Sequence, residues 1–208
     1  MNKLLEGIVN FRQGDFDTHK ELFKTLKDVQ KPHTLFIACS DSRIDPNMIT
    51  NTLPGELFIV RNIANIVPPY RDTNDYLATT AAIEYAILSL EVENIIVCGH
   101  SNCGGCAACL DPDKTSSDLI HTRKWLELSS TVRHRVLSEP NTSAEQREWM
   151  MEQGNVVEQL KHLMTFPFIY KRISEGSLTL SGWYYIIETG EIFIYNKDSD
   201  EFLIANKS

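Results

Sequence analysis

Three side chains in this sequence have the chemistry of a metal site. Cys39 offers one thiolate, while His100 and Cys103, separated by two residues, offer an imidazole and a second thiolate on one tight turn. Zinc prefers thiolate and imidazole ligands in a tetrahedron, and a catalytic zinc keeps its fourth position open. Cys39, His100 and Cys103 therefore predict a zinc site at which a water molecule is activated.

Asp41 and Arg43 follow the first of these ligands closely. A carboxylate can accept the hydrogen bond that orients a reacting hydroxide, and a guanidinium keeps that carboxylate ionised through a bidentate pair. We therefore predict that Asp41 and Arg43 are catalytic. An aspartate and an arginine on one loop are more often a surface pair that contributes little to stability, and the residues alone leave that alternative open.

The other cysteines crowd around the predicted ligands. The chain has five cysteines, and four of them lie between positions 98 and 109. A secreted disulfide framework would spread them out, so the crowding predicts a reducing, cytoplasmic location. We expect Cys98, Cys106 and Cys109 to be packing residues, because a buried cysteine behaves as a small apolar side chain.

Composition excludes several classes of protein. The 208 residues suit one domain, so we predict a single domain over residues 1–208. The net charge of -8 argues against a nucleic-acid partner. No stretch approaches the roughly 20 apolar residues of a membrane span, and residues 1–17 read as an amphipathic helix rather than a signal peptide.

The spacing of apolar residues predicts the elements that position the ligands. Helices alternate with short apolar runs, which is typical of an α/β protein with a mainly parallel central sheet flanked by helices. The predicted helices cover residues 1–30, 76–90, 118–138 and 143–175, with breaks at Pro140 and Pro167. Asp45 caps a further short helix that begins at Pro46. The predicted central strands cover residues 34–39, 57–60, 94–98 and 178–187, and residues 191–195 form an antiparallel edge strand after the turn at 189–190.

This layout predicts that distant ligands meet. Cys39 ends the first predicted strand, and His100 follows the third, 61 residues later. Ligands of open parallel sheets lie beyond the carboxyl ends of the strands. Cys39 and His100 are therefore expected at the same edge of one sheet.

Four strings of sequence resemble the β-class carbonic anhydrase family, in its order and at about its spacing. They are ACSDSR at 38–43, PGELFIVRNIAN at 54–65, AIEYA at 82–86 and CGHSNCGG at 98–105. The resemblance implies reversible hydration of carbon dioxide to bicarbonate and a proton by a zinc-bound hydroxide. It also implies one zinc per subunit on Cys39, His100 and Cys103, with Asp41 and Arg43 beside the metal.

The same resemblance implies further roles. Substrate-binding positions of the family fall on Gln30, Phe58, Ile63, Tyr85 and Gly104. The family's sites form between subunits, which implies a homodimer or homotetramer whose helical arm, residues 1–30, packs on a partner. In part of the family the aspartate equivalent to Asp41 closes onto zinc as a fourth ligand at lower pH. Residues 65–70 (NIVPPY) and Phe36 resemble the other, open group.

Two other functions stay open at this point. The first is a hydrolase on the same scaffold that cleaves an analogue of carbon dioxide such as carbon disulfide. The second is a structural-zinc or thiol redox protein that uses Cys103, Cys106 and Cys109, which recur at three-residue spacing.

Overall fold

A computed structural model describes residues 2–75 and 77–205, and the chain divides between Lys31 and Pro32 into two compact units. The smaller unit contains three helices, α1 (Asn2–Gln13), α2 (Asp15–Thr18) and α3 (Lys20–Leu26). Phe11, Phe16 and Phe23 pack their rings together, with centroids 5.2 to 6.1 Å apart. The predicted helical character of this segment is confirmed up to Leu26.

The larger unit is built on a six-stranded sheet with the order β2-β1-β3-β4-β5-β6. The strands are β1 (Thr34–Cys39), β2 (Leu57–Asn62), β3 (Asn94–His100), β4 (Thr179–Tyr185), β5 (Ile192–Asn196) and β6 (Glu201–Ile204). The first four strands run parallel, whereas β4, β5 and β6 pair in antiparallel fashion. The predicted α/β class, with a mainly parallel sheet and antiparallel strands near the C-terminus, is confirmed.

Helices flank this sheet. They are α4 (Pro46–Thr50), α5 (Ala78–Glu84), α6 (Gly104–Leu110), α7 (Ile120–Leu126), α8 (Ser130–Ser138), α9 (Ala144–Leu163) and α10 (Pro167–Ser174). The Asp45 side chain accepts hydrogen bonds from the first turn of α4, as predicted. A capping box between Ser143 and Gln146 starts α9. Among the described residues, none of the helices combines the length and the apolar character that a membrane crossing needs.

Several boundaries differ from the predictions. His100 is the last residue of β3 rather than the residue after it. The helix predicted over 76–90 begins as α5 at Ala78 and changes to a π-helix over Tyr85–Ser89, where the amide of Leu90 bonds to the carbonyl of Tyr85; Tyr76 lies outside the described residues. Strand β6 was missed because it has only four residues, so β6 rather than β5 is the edge strand.

Strand β1 is buried on both faces. Leu35, Phe36 and Ile37 are fully enclosed, which explains why the strand is a continuous apolar run rather than an alternating one. Cys98 on β3 packs in the core beside Phe36 and Ala38, which confirms its predicted packing role. The centre of the sheet is therefore rigid, and the carboxyl ends of β1 and β3 are fixed relative to each other.

Candidate metal centre

Cys39, His100 and Cys103 meet at the carboxyl ends of two neighbouring strands. Strands β1 and β3 pair in parallel with Ala38 opposite Cys98, so Cys39 and His100 reach the same edge of the sheet. Cys103 follows three residues after His100. All three side chains are buried, and their ligand atoms lie within 4.8 Å of one another. The predicted meeting of residues 61 positions apart is confirmed.

The imidazole of His100 is oriented as a metal ligand requires. Its Nδ1 lies 3.0 Å from the carbonyl oxygen of Ser101, and because a carbonyl only accepts, Nδ1 carries the hydrogen. In the neutral imidazole Nε2 then has the free lone pair, and it is a buried atom without a hydrogen-bond partner among the described residues. A buried polar atom left unpaired is costly. Two sulfurs and one such nitrogen are the ligands that zinc prefers, so these residues fit a zinc ion.

The surroundings of the two thiols favour their protonated form when no cation is bound. Hydrogen bonding with Cys103, together with burial, raises the pKa of the Cys39 thiol to about 12. Hydrogen bonding with Cys106 and burial raise the pKa of the Cys103 thiol, against an opposing effect of Cys39. Metal ligation requires thiolates, so binding of a divalent cation here would release protons.

Asp41 and Arg43 form a bidentate pair beside the ligands. Arg43 Nε lies 2.9 Å from Asp41 Oδ1, and Arg43 Nη2 lies 2.7 Å from Oδ2. These hydrogen bonds hold the pKa of the Asp41 carboxyl well below its usual range. Arg43 also donates to the carbonyl of Asn102, which ties the loop after β1 to the turn after β3. The pair therefore belongs to the candidate centre and is not an isolated surface ion pair.

Arg61 on β2 supports the same loop, a role that its sequence context does not predict. Its Nε donates to the carbonyl of Cys39 at 3.0 Å, and its Nη2 donates to the carbonyl of Asp41 at 2.6 Å. The backbone on both sides of Ser40 is thus fixed by one guanidinium. Arg61 lies within the string at 54–65 that resembles the family. Its position near the end of a strand, however, does not distinguish a structural arginine from one that is simply exposed to solvent.

The loop after β2 holds Ile63 beside the centre through an unusual backbone. Ala64 and Asn65 adopt left-handed conformations, with φ of 60° and 48°, which non-glycine residues rarely do. The Asn62 side chain bonds to both the N–H and the carbonyl of Ile66, each at 2.8 Å. Asn155 on α9 donates to the carbonyl of Ala64. These hydrogen bonds offset the cost of the strained backbone.

The turn after His100 packs against this loop through a glycine. Cys103 is the N-cap of α6, and a Cβ at Gly105 would lie 2.8 Å from the Cβ of Ala64. Gly104, in contrast, is exposed, and a Cβ there would meet no atom within 4 Å. Gly105 is thus required for packing, while Gly104 faces open space beside Cys103.

The predicted substrate-binding residues fall into separate groups. Ile63 directly follows Asn62, which pairs with Cys39 in the sheet, so it lies near the metal ligands of its own chain. Phe58 and Tyr85 contact each other, with ring centroids 6.0 Å apart. Phe58 stands four residues before Asn62 on β2, roughly 13 Å along the strand at ~3.3 Å per residue.

Gln30 belongs to the smaller unit, where it is exposed. Its role in substrate binding stays a prediction.

Cys106 and Cys109 are core residues of the larger unit. Both are buried among apolar neighbours that include Ala64 and Leu126, and the Cys109 thiol donates to the carbonyl of Leu126. Within residues 2–75 and 77–205, the only group of three or more potential metal ligands is the one that contains Cys39. The structural-zinc alternative, which needs Cys103, Cys106 and Cys109 together, gains no support.

The comparison with known protein families fits this geometry. The family model described as carbonic anhydrase matches residues 34–192, a span that includes all three candidate ligands. The chain belongs to the carbonic anhydrase family. The resemblance predicted from four strings of sequence is confirmed, and with it the predicted class of enzyme.

Relatives in this family align over nearly the whole chain. A carbonic anhydrase from Helicobacter pylori (strain J99) is 39% identical over 200 residues, which cover 94% of this chain and 90% of the relative. A carbonic anhydrase from Synechocystis sp. is 42% identical over 206 residues, which cover 98% of this chain and 74% of the relative.

Solved structures of carbonic anhydrases share the fold. The β-carbonic anhydrase CcaA superposes with a TM-score of 0.94 at 40% identity, covering 100% of this chain and 92% of the other. A tetrameric β-carbonic anhydrase from the filamentous ascomycete Sordaria macrospora gives a TM-score of 0.81 at 35% identity, covering 92% and 94% of the two chains.

Proposed function

We propose that this chain catalyses the reversible hydration of carbon dioxide to bicarbonate and a proton, as a zinc enzyme. The observation that carries the proposal is the buried group of Cys39, His100 and Cys103, whose ligand atoms lie within 4.8 Å of one another. The unpaired Nε2 of His100 supports a metal rather than a hydrogen-bonding role for this group. The relatives named carbonic anhydrases support the choice of reaction.

Cys39, His100 and Cys103 would hold one zinc ion per subunit. When bound, zinc supplies the Lewis acidity that lets a water molecule ionise near neutral pH. Asp41 accepts a hydrogen bond from the attacking oxygen and so aims its lone pair at carbon dioxide. Arg43 keeps both carboxylate oxygens of Asp41 in place, which supports the open arrangement, in which Asp41 is not a fourth ligand of the metal.

The substrate would lie between the metal and the start of α6. A Cβ at Gly104 would meet no atom within 4 Å, so there is open space beside this residue. We propose that its N–H faces the substrate, because a backbone N–H at a helix start stabilises negative charge that develops on oxygen. Gln30 is proposed to donate a second hydrogen bond. Phe58, Ile63 and Tyr85 are proposed to form the small apolar pocket for carbon dioxide.

A complete site of this kind requires a second subunit. Phe58 lies roughly 13 Å along the sheet from its own Cys39, at ~3.3 Å per residue, and the ring of Tyr85 packs against it. Both would therefore line the pocket of a partner. The helices of the smaller unit expose apolar side chains, with Leu4 and Ile8 72% and 57% exposed. Large exposed apolar patches mark interaction surfaces. We propose a homodimer or homotetramer in which residues 1–30 pack on a partner subunit.

A reducing compartment such as the cytoplasm suits this centre. All five cysteines are free and buried, and two of them must remain thiols until metal binds. Oxidation of Cys39 or Cys103 would remove a ligand.

Stopped-flow measurement of carbon dioxide hydration, with zinc analysis of the same preparation, tests the proposal. We expect fast hydration that scales with zinc content and approaches one zinc per chain. A native preparation that turns over normally without metal would refute it. Cleavage of carbon disulfide, in the absence of carbon dioxide hydration, would favour the hydrolase alternative on the same scaffold.

A further inference from the structure

A buried carboxylate lies directly behind the turn that carries Cys103. Glu152 on α9 is only 5% exposed, although glutamate is almost never fully buried without partners. Its Oε1 accepts a hydrogen bond from the backbone N–H of Cys103 at 2.8 Å, and its Oε2 accepts one from the hydroxyl of Tyr184 at 2.5 Å. Each oxygen of the carboxylate is therefore engaged, one by the metal-ligand turn and one by the sheet.

The helix that carries Glu152 is locked against the strand that carries His100. A Cβ at Gly99 would lie 2.6 Å from Cγ2 of Val156, and one at Gly182 would lie 2.9 Å from Cγ1 of the same side chain. Both glycines thus allow α9 to approach β3 and β4 closely, and a change at either would push the helix away. Glu152, one turn before Val156, is held at a fixed depth behind the site.

We propose that Glu152 is a positioning residue for the metal centre, which fixes the backbone of Cys103 and is itself fixed by Tyr184. The inference rests on the proposed function. Its basis is that Glu152 accepts a hydrogen bond from the amide of Cys103, while the carbonyl of Ser101 orients the imidazole of His100. Residues that hydrogen-bond to metal ligands without contacting the metal orient those ligands. Their loss typically lowers metal affinity or activity by 10- to 100-fold.

Three variants separate this role from plain structural support. In Glu152→Leu both hydrogen bonds are lost. In Glu152→Gln the amide oxygen can still accept from Cys103 while the amide nitrogen donates to the oxygen of Tyr184, so the geometry is retained without the charge. In Tyr184→Phe only the hydroxyl is removed. Gln159→Leu is the matched control, because Gln159 is a buried polar residue of the same helix that has no hydrogen bond to the ligand turn. Its partners are Val67, Ser129, Asn155 and His162.

Zinc affinity, measured by competition with a chromophoric chelator, and the absorption spectrum of the cobalt(II)-substituted protein are the main readouts. We expect Glu152→Leu to lower zinc affinity by about 10- to 100-fold and to shift the cobalt bands. Glu152→Gln should stay within roughly threefold of the wild type, and Tyr184→Phe should lose roughly three- to tenfold on the same scale. Gln159→Leu should lower the unfolding midpoint without changing either readout.

Wild-type zinc affinity and cobalt spectrum in Glu152→Leu would overturn the proposal, as would an equal loss in Gln159→Leu. If Glu152→Leu does not fold, Tyr184→Phe decides, and an unchanged affinity and spectrum in that variant would overturn the proposal. A wild-type chain that binds no stoichiometric zinc would refute the proposed function instead, so the two failures are distinguishable.

Discussion

Oδ2 of Asp41 lies 4.0 Å from Nε2 of His100. The same oxygen accepts a hydrogen bond from Arg43, whose guanidinium also bonds to the carbonyl of Asn102. A carboxylate held in this way stands beside the metal ligands but is turned toward the arginine.

Replacement of this carboxylate should separate metal binding from catalysis. Asp41→Asn retains size but loses the charge and one acceptor for Arg43. We expect zinc to remain stoichiometric, while kcat/KM falls by about 10²- to 10⁴-fold, the range for loss of a positioned proton acceptor. Stopped-flow hydration and zinc analysis measure the two effects. Asp45→Asn is the control, because asparagine caps α4 as well as aspartate does. Full activity of Asp41→Asn would show that the carboxylate has no role.

Replacement of Cys39 and replacement of Cys98 should have different effects on zinc content and activity. Cys39→Ser should abolish stoichiometric zinc and hydration together, because one of three ligands is lost. Cys98→Ala should retain both, since Cys98 lies in the core beside Phe36, and should only lower the free energy of unfolding by about 1 kcal/mol. Metal analysis after dialysis checks both variants. Retention of zinc in Cys39→Ser would favour a site built from the other cysteines.

The two adjacent glycines of the ligand turn should differ in their tolerance of alanine. In Gly105→Ala the new methyl group would lie 2.8 Å from the Cβ of Ala64 and 3.3 Å from its backbone nitrogen. We expect the free energy of unfolding to fall by about 1–3 kcal/mol, the usual cost of overpacking. Gly104→Ala meets no atom within 4 Å, so its stability should stay within about 0.5 kcal/mol of the wild type. Urea unfolding measures both, and equal losses would contradict the packing described for Gly105.

Subunit mixing tests whether the pocket is shared. Cys39→Ser removes the metal from its own chain, and the double change Phe58→Ala with Tyr85→Ala removes the proposed pocket of the neighbouring chain. In a mixed dimer one site then carries both defects while the other is intact, so co-expression of the two inactive chains should restore up to half of the wild-type rate per mixed dimer. Activity that stays absent in isolated mixed dimers would place the pocket and the metal in the same chain.

The strands and the ligands could be predicted because their sequence signals are local. The run from Thr34 to Cys39 has no polar residue after its first position, which is typical of a strand covered on both faces, and the predicted bounds of β1 match the observed ones. The spacing of His100 and Cys103 fixes a tight turn. Their meeting with Cys39 then follows from the general rule that parallel strands present their carboxyl ends at one edge.

The residues that support the site could not be predicted in this way. Glu152 and Asn155 look like ordinary polar positions of a long helix, and only the packing of α9 behind β3 turns them toward backbone groups of the site. Ala64 gives no hint of its left-handed φ, because alanine is a good helix former; the conformation is imposed by Asn62 and by the close approach of Gly105. These contacts depend on tertiary structure and cannot be predicted from local sequence patterns.

The pairing of β1 with β3 has a consequence for biosynthesis. Cys39 leaves the ribosome long before His100 and Cys103, and the three are brought together only when β3 docks beside β1. Until then Cys39 is the only one of the three ligands in place, and a single thiol binds a cation weakly. Metal binding is therefore expected to follow assembly of the central sheet. A bound ion would then link two strands that are distant in the chain.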